Sequence, residues 1–185
     1  MPPPELSGGA SLLEALSNRR SSREYGNNQL PLALLSNLLW AANGVNRSDG
    51  GRTALSALNA QEIDIVVALP EGAYRFNAAA HAPELVCAKG LRRVTGNQDF
   101  VDDAPLDLVY VADHARIKRV PVAQRLSFGS VAADAIEQNV YLFAASAGPV
   151  TVIRAWIDRE PIAQALGLPH DQEVLLSQTI GFGKD

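Results

Sequence analysis

A single cysteine, Cys87, among 185 residues leaves nothing from which to build a disulfide framework or a cysteine-based metal site. The three histidines, His81, His114 and His170, lie far apart and lack the spacing of metal ligands, so no metal centre is expected. No stretch approaches 18 consecutive uncharged apolar residues, and a membrane-spanning helix is not expected. The opening Met1-Pro2-Pro3-Pro4-Glu5 lacks the basic and apolar regions of a secretory signal, so the expected compartment is the cytoplasm. Positive charge is in the minority, with 16 Lys and Arg against 20 Asp and Glu and a net charge of −4. A pervasive polyanion-binding surface is therefore not expected, nor is nucleic acid as a partner, which leaves room for a local basic cluster. There is no Ser-His-Asp or Cys-His set, no Walker motif, and no G-x-G-x-x-G opening a helix.

What is present is ordinary globular composition, 47% apolar and 19% charged. A chain of this size buries about 70% of its unfolded surface, enough for one core without staples. Residues 1–10 read as a Pro/Gly-rich arm and residues 11–185 as a single domain. Ser11 and Glu14 form a capping box that starts a helix carrying an apolar stripe of Leu12, Leu13 and Leu16. Pro31 opens a second helix that Gly44 closes. Ile63 to Leu69 and Ala73 to Phe76 read as a hairpin around Pro70-Glu71-Gly72. Pro83 to Gly90 reads as a short helix. Leu106 to Ala112 is nearly continuously apolar, as in a strand buried on both faces. The basic segment 115–127 is an expected irregular lid, with Phe100 as a companion gate. Ser130 to Ala147 is a long helix ended by Gly148. Val150 to Trp156 is β-rich, Asp158 starts a helix that Gly167 stops, and Glu173 to Ile180 is the last strand. The order implies an α+β domain with a mixed sheet flanked by helices.

Three segments carry candidate chemistry. Arg19-Arg20-Ser21-Ser22-Arg23 concentrates guanidinium forks and hydroxyls suited to a small phosphorylated ligand. The same segment equally suits a basic helix end that complements the dipole. The stretch Arg52 to Gln61 offers amides able to read a heteroaromatic edge, or serves as a capped polar loop. Gly148 to Trp156 could lay backbone against a flat ligand, or be a core strand. Asp99, Asp102, Asp103 and Asp107 read as a solvated rim, Trp40 as core, and Cys87 as a small buried hydrophobe.

Taken together, the sequence resembles the nitroreductase family of flavin enzymes. The resemblance rests on Arg19-Arg20-Ser21-Ser22-Arg23-Glu24-Tyr25, on Leu38-Leu39-Trp40-Ala41-Ala42-Asn43-Gly44-Val45-Asn46-Arg47, and on the Ser56, Asn59, Gln61 pattern. Gln138-Asn139, Gly167-Leu168-Pro169 and Gln178-Thr179-Ile180-Gly181 add to it. Within the family it is most similar to the branch that contains the azoline dehydrogenases of peptide natural-product pathways.

That resemblance implies an FMN-binding fold with a mixed, mainly antiparallel sheet, and an obligate homodimer with flavin sites at the subunit interface. It implies a phosphate site on Arg19, Arg20, Ser21 and Arg23, with Lys184 as a basic C-terminal contributor. It places Leu55, Ser56 and Asn59 against the partner's isoalloxazine, and the strand residues Val152, Ile153, Arg154 and Ala155 beneath the flavin. Leu55 stands where the family often has Pro, and Ala155 where it often has Gly. Arg154 and Arg52 are candidates for a cation near flavin N1. The implied reaction is NAD(P)H-driven, ping-pong hydride transfer through flavin N5 to nitroaromatic, quinone or other acceptors, with no side chain acting as nucleophile. Substrate-reduced dehydrogenation of a modified peptide, or flavin binding without turnover, are the alternatives.

Overall fold

The computed structural model describes residues 1–184. Its centre is β4 (Leu106–Asp113), the run whose apolar continuity marks it as doubly covered. Every residue from Leu106 to Ala112 is buried. Its even-numbered residues, Leu106, Leu108 and Tyr110, pack into one cluster with Leu38, Leu39, Ile136 and Val140. Its odd-numbered Val109 and Val111 pack into a second cluster with Ile157, Ile162 and Leu166. The side-chain period of two thus divides one apolar strand between two cores.

The covering helices are α2 (Leu32–Asn43) and α4 (Val122–Ala147) on the first face, and α5 (Arg159–Leu166) on the second. Five more strands complete the sheet: β1 (Ile63–Ala68), β2 (Ala73–Asn77), β3 (Ala82–Cys87), β5 (Val150–Arg154) and β6 (Gln172–Gly181). The strand order is β3-β2-β1-β4-β6-β5, and all five pairings are antiparallel. The expected parallel element shrinks to one bridge, Ser21 to Thr151, on the outer edge of β5. The helix ends follow sequence chemistry. Gly148 takes φ 102° and Gly167 φ 64° to stop α4 and α5. The Ser11 hydroxyl accepts the Glu14 amide at 3.3 Å to start α1 (Leu12–Asn18). A fifth, single-turn helix, α3 (Phe100–Asp103), precedes β4.

Several expectations are corrected. Residues 82–87 form β3, not a helix. The chain reverses at His81, whose φ is 48°, and Glu84 pairs across the strands with Arg75 at 2.7 Å. Pro83 is tolerated because β3 is an edge strand, where a missing amide donor breaks no ladder. Helix α4 begins at Val122, directly after Pro121, so residues 122–127 are its first turns rather than a lid. The preceding residues are pinned by Arg116, which bonds Asp64 at 2.8 and 2.9 Å, and by buried Ile117 and Val120. On α1 only Ala15 is buried, and Leu12, Leu13 and Leu16 face outward. Trp40 and Cys87 are half-buried rather than core. The arm at 1–10 lies on its own chain. Ser36 Oγ donates to Pro2 O at 2.6 Å, and the Ala10 amide to Ser146 Oγ at 2.8 Å.

Candidate active site

The end of α1 delivers Arg19–Ser22 to the open edge of β5. Ser21 bridges Thr151, and the Ser22 amide donates to Thr151 O at 3.0 Å. Buried Tyr25 fixes the far end of this segment, its hydroxyl donating to Ser22 O at 2.8 Å. Burial holds the Tyr25 hydroxyl well above its ordinary pKa, with the Asp107 carboxylate adding to the shift.

Tyr141 joins three elements here. From α4 its hydroxyl accepts the Ile153 amide of β5 at 3.0 Å and shares a 2.8 Å hydrogen bond with Ser21 Oγ. The Arg19 guanidinium lies over its ring, 5.2 Å from the centroid. Beside this junction is an open cavity of about 350 Å³, walled by Arg19, Arg20, Tyr141, Gly148, Pro149 and Thr151. Glu137 sits one turn before Tyr141 on α4. Burial and the neighbouring Asp134 carboxylate push its pKa up to about 7, against an opposing pull from Arg19. One of its carboxylate oxygens is buried without a hydrogen-bond partner among the described residues.

The second candidate segment lies farther back along α4, where Ala132 and Ile136, not Tyr141, form the wall. The Ser56 hydroxyl donates to Glu62 Oε2 at 2.6 Å and accepts the Gln61 amide at 2.7 Å. Gln61 Nε2 in turn donates to Asn59 Oδ1 at 3.2 Å. Three residues that are not glycine hold left-handed backbone here: Leu58 at φ 58°, Asn59 at 52° and Gln61 at 52°. Such conformations cost free energy and persist where surrounding bonds over-determine them. Leu55 and Leu58 point outward, 61% and 70% exposed.

The expected site residues therefore divide. Arg19, Arg20 and Ser21 gather at the start of β5. Leu55, Ser56 and Asn59 form a separate patch, and no residue walls both cavities. Arg23 is exposed and lies off the first cavity. Lys184 is 3.9 Å from Asp103, on a C-terminal stretch that runs beside Gly26 through the Gly26 amide to Phe182 O bond. Val152 packs with Tyr25 and Ala104, Ile153 is half-buried, and Ala155 is exposed just past β5.

Arg154 requires a correction, and Asp107 with it. Arg154 is not a free cation facing a ligand, and Asp107 is not on a solvated rim. They form a sealed ion pair at 2.7 Å, with side chains 4% and 0% exposed. Ser177 Oγ and Thr95 O accept from the same guanidinium at 3.0 and 2.8 Å. Sequence reasoning also missed Tyr141 and Glu137. Their signal was present as polar groups in an otherwise apolar helix, but not their direction. Among the described residues no cluster of His, Cys, Asp or Glu could hold a metal ion, and no helix is long and apolar enough to cross a membrane.

An antiparallel sheet sandwiched by helices, with Arg19, Arg20 and Ser21 gathered along its edge strand, defines an α+β protein. The comparison with known families makes this specific. The nitroreductase family profile matches residues 16–183, and the chain belongs to that family. MJ1384 of Methanocaldococcus jannaschii, a provisionally named nitroreductase, is 32% identical over 160 residues, spanning 80% of this chain and 81% of that protein. A provisionally named nitroreductase from Ralstonia eutropha JMP134 superposes with a TM-score of 0.96 at 47% identity, over 100% of this chain and 89% of its own. The fold, though little of the sequence, recurs in two further structures. One is the NADPH:FMN oxidoreductase of Vibrio harveyi complexed with NAD+, with TM-score 0.69 and 20% identity, over 94% of this chain and 69% of that one. The other is the Escherichia coli microcin synthetase McbBCD complex, with TM-score 0.79 and 16% identity, over 100% of this chain and 78% of that one.

Proposed function

We propose that this nitroreductase-family oxidoreductase binds FMN with its phosphate at Arg19 and Arg20 and its ring system along β5. The observation that carries this is the Arg19–Ser22 segment laid against the free edge of β5 beside an open cavity. The residues present suit the cofactor. Two guanidiniums supply bidentate donors for a phosphate. The short side chains of Ala144 and Ala145 and the bare Gly148 leave a low wall for a flat ring. Bound flavin supplies hydride exchange at N5, taking electrons from NAD(P)H and passing them to a small acceptor.

The chain's own residues bind and position. Tyr141 fixes the cradle to the edge strand, so the phosphate ligands and the ring platform keep one spacing. The strained Leu58–Gln61 loop and the residues before it leave Leu55, Leu58 and Asn59 exposed, as a segment that meets a partner's flavin would require, while the Ser56 hydroxyl turns inward to Glu62. We infer that the working unit is a homodimer. Exposed Leu12, Leu13, Leu16, Leu55 and Leu58 are apolar surface with no cover in the single chain. The folded surface of 9430 Å² also exceeds the roughly 8,600 Å² expected of a monomer this size.

An anaerobic absorbance spectrum before and after NAD(P)H tests the reading. Flavin bands that bleach rapidly are expected. Bands that persist with NAD(P)H but bleach with a candidate substrate would replace the reductase by a substrate-reduced dehydrogenase. Bands that neither bleaches would indicate a flavin carrier. Absence of bands after FMN addition would overturn the cofactor assignment.

A further inference from the structure

A second polar cavity of about 350 Å³ opens on the far side of the sheet's β1–β3 end, away from the Arg19–Tyr141 junction. Its walls come from β1, β2 and β3 and from the loops that carry Arg52 and Arg116. Two of its three guanidiniums are already matched. Arg75 bonds Glu84 at 2.7 Å, and Asn77 Nδ2 donates to the other oxygen of that carboxylate at 2.6 Å. Arg116 grips Asp64 through both terminal nitrogens, at 2.8 and 2.9 Å, and Asp113 at 3.1 Å.

Arg52 differs. Its Nε donates to Gln61 Oε1 at 2.9 Å, and Gln61 is itself tied to Gly50 O at 2.9 Å. That bond fixes the guanidinium plane. Its two terminal nitrogens have no hydrogen-bond partner and no carboxylate within 4.0 Å among the described residues. Burial and the adjacent Arg116 charge act against its protonated form, and the more distant Asp64 carboxylate, held by Arg116, opposes them. A half-buried cation held in one orientation with an unused fork is incomplete without an anion. The cavity falls within the volume range of small-molecule sites.

We propose that this cavity binds a small molecule through an oxyanion, a carboxylate or a phosphate, gripped by the two terminal nitrogens of Arg52 with Gln61 and Asn77 at its rim. The proposal goes beyond the flavin reading: every residue invoked lies outside the Arg19–Tyr141 cavity, and Arg52 and Gln61 adjoin the Ser56 segment assigned to a partner's flavin without being its phosphate ligands. Because Gln61 is shared with the Ser56–Asn59 loop, an occupant would also brace the strained segment.

The test titrates the full-length protein, as purified, with benzoate and separately with inorganic phosphate at low ionic strength. Calorimetry reads affinity and backbone amide chemical shifts read location. Saturable binding is expected, with shifts concentrated at Gln61, Arg75 and Asn77. Saturation by benzoate alone identifies a carboxylate ligand, and by phosphate alone a phosphorylated one. Arg52→Gln is expected to weaken binding at least tenfold, while Arg93→Gln, at an exposed position that lines neither cavity, leaves it unchanged. No saturable binding of either probe would overturn the proposal. So would shifts confined to Arg19–Ser22, or equal affinity in Arg52→Gln. These outcomes leave the flavin spectrum unaffected, so failure here and failure of the flavin assignment read differently.

Discussion

Asp107 and Arg154 meet inside the sheet at 2.7 Å, on β4 and β5, with β6 between them contributing Ser177. Thr95 and Thr179 both donate to the same carboxylate. The pair also holds the 91–99 loop, because Arg154 donates to Thr95 O. Gly96 packs so tightly against this guanidinium that a Cβ there would overlap it. Removing one partner leaves the other charged, buried and unmatched. Asp107→Leu is expected to destabilise the protein by about 3–5 kcal/mol, and the double variant Asp107→Leu/Arg154→Met by distinctly less. Urea unfolding of the three proteins checks the ordering. Equal losses in the single and double variants would show that the pair is not a coupled unit.

The cradle at β5 depends on one hydroxyl. Tyr141→Phe keeps the ring under Arg19 but removes the acceptor for the Ile153 amide and the partner of Ser21. The expected cost is about 1–2 kcal/mol of stability, together with weaker FMN binding as Ser21 loses its anchor. Thermal unfolding and a fluorescence titration with FMN measure the two effects. Unchanged FMN affinity with lowered stability would confine Tyr141 to a packing role.

Arg19 and Arg20 wall the first cavity and Arg23 does not. Arg19→Ala and Arg20→Ala are each expected to lose about 1.5–3 kcal/mol of FMN binding, the value of a hydrogen bond to a charged group. Arg23→Ala is expected to change affinity by less than either. An Arg23→Ala loss equal to that of Arg20→Ala would place the phosphate nearer Tyr25 than the cavity does.

The parts of this fold that could be read from the sequence are those with local causes. β4 announces itself because seven successive residues, six of them apolar, suit a strand covered on both faces. Gly148 and Gly167 mark helix ends because no other residue takes that backbone as cheaply. β3 was hidden because Pro83 and the alanines before it look helical in isolation, and only pairing with β2 makes a strand of them. The first turns of α4 were hidden by polar residues such as exposed Gln124 and half-buried Arg125, which carry no apolar stripe. The candidate site was legible as an arginine cluster, but its partners were not. Tyr141 lies 120 residues from Ser21, and Arg154 lies 47 from Asp107. Only the folded sheet shows that Arg154 is already matched and Arg52 is not.

Glu137 predicts a pH dependence. Its folded pKa is raised from 4.5 to about 7, chiefly by burial. The folded state therefore holds a proton that the unfolded chain releases between those values. The stability this group contributes is fully present below about pH 4.5 and is lost as pH rises through 7. Because the side chain is only half-buried, solvent screening limits the change to about 1–2 kcal/mol. Glu137→Gln should flatten that part of the stability profile and raise stability at pH 8. Urea midpoints measured from pH 5 to pH 8 test this. A profile in Glu137→Gln as steep as the parent's would assign the titration to another group.

The outward leucines of α1 are the final point. Leu12 is 64% exposed, Leu13 78% and Leu16 47%, yet they form the most apolar face of that helix. An amphipathic helix normally turns such a face inward, because each fully buried leucine gains about 1.5–3 kcal/mol. Here the inward face carries Ala15 instead, whose small side chain lets α1 sit close on α4. In the proposed homodimer this apolar face meets the second chain. Leu13→Asp combined with Leu16→Asp is expected to give a monomer by light scattering while the far-ultraviolet circular dichroism stays that of the parent, since neither residue touches the core of its own chain. A parent protein that is itself monomeric at micromolar concentration would overturn the assignment. So would a double variant that remains dimeric, and the outward face of α1 would then need a different partner.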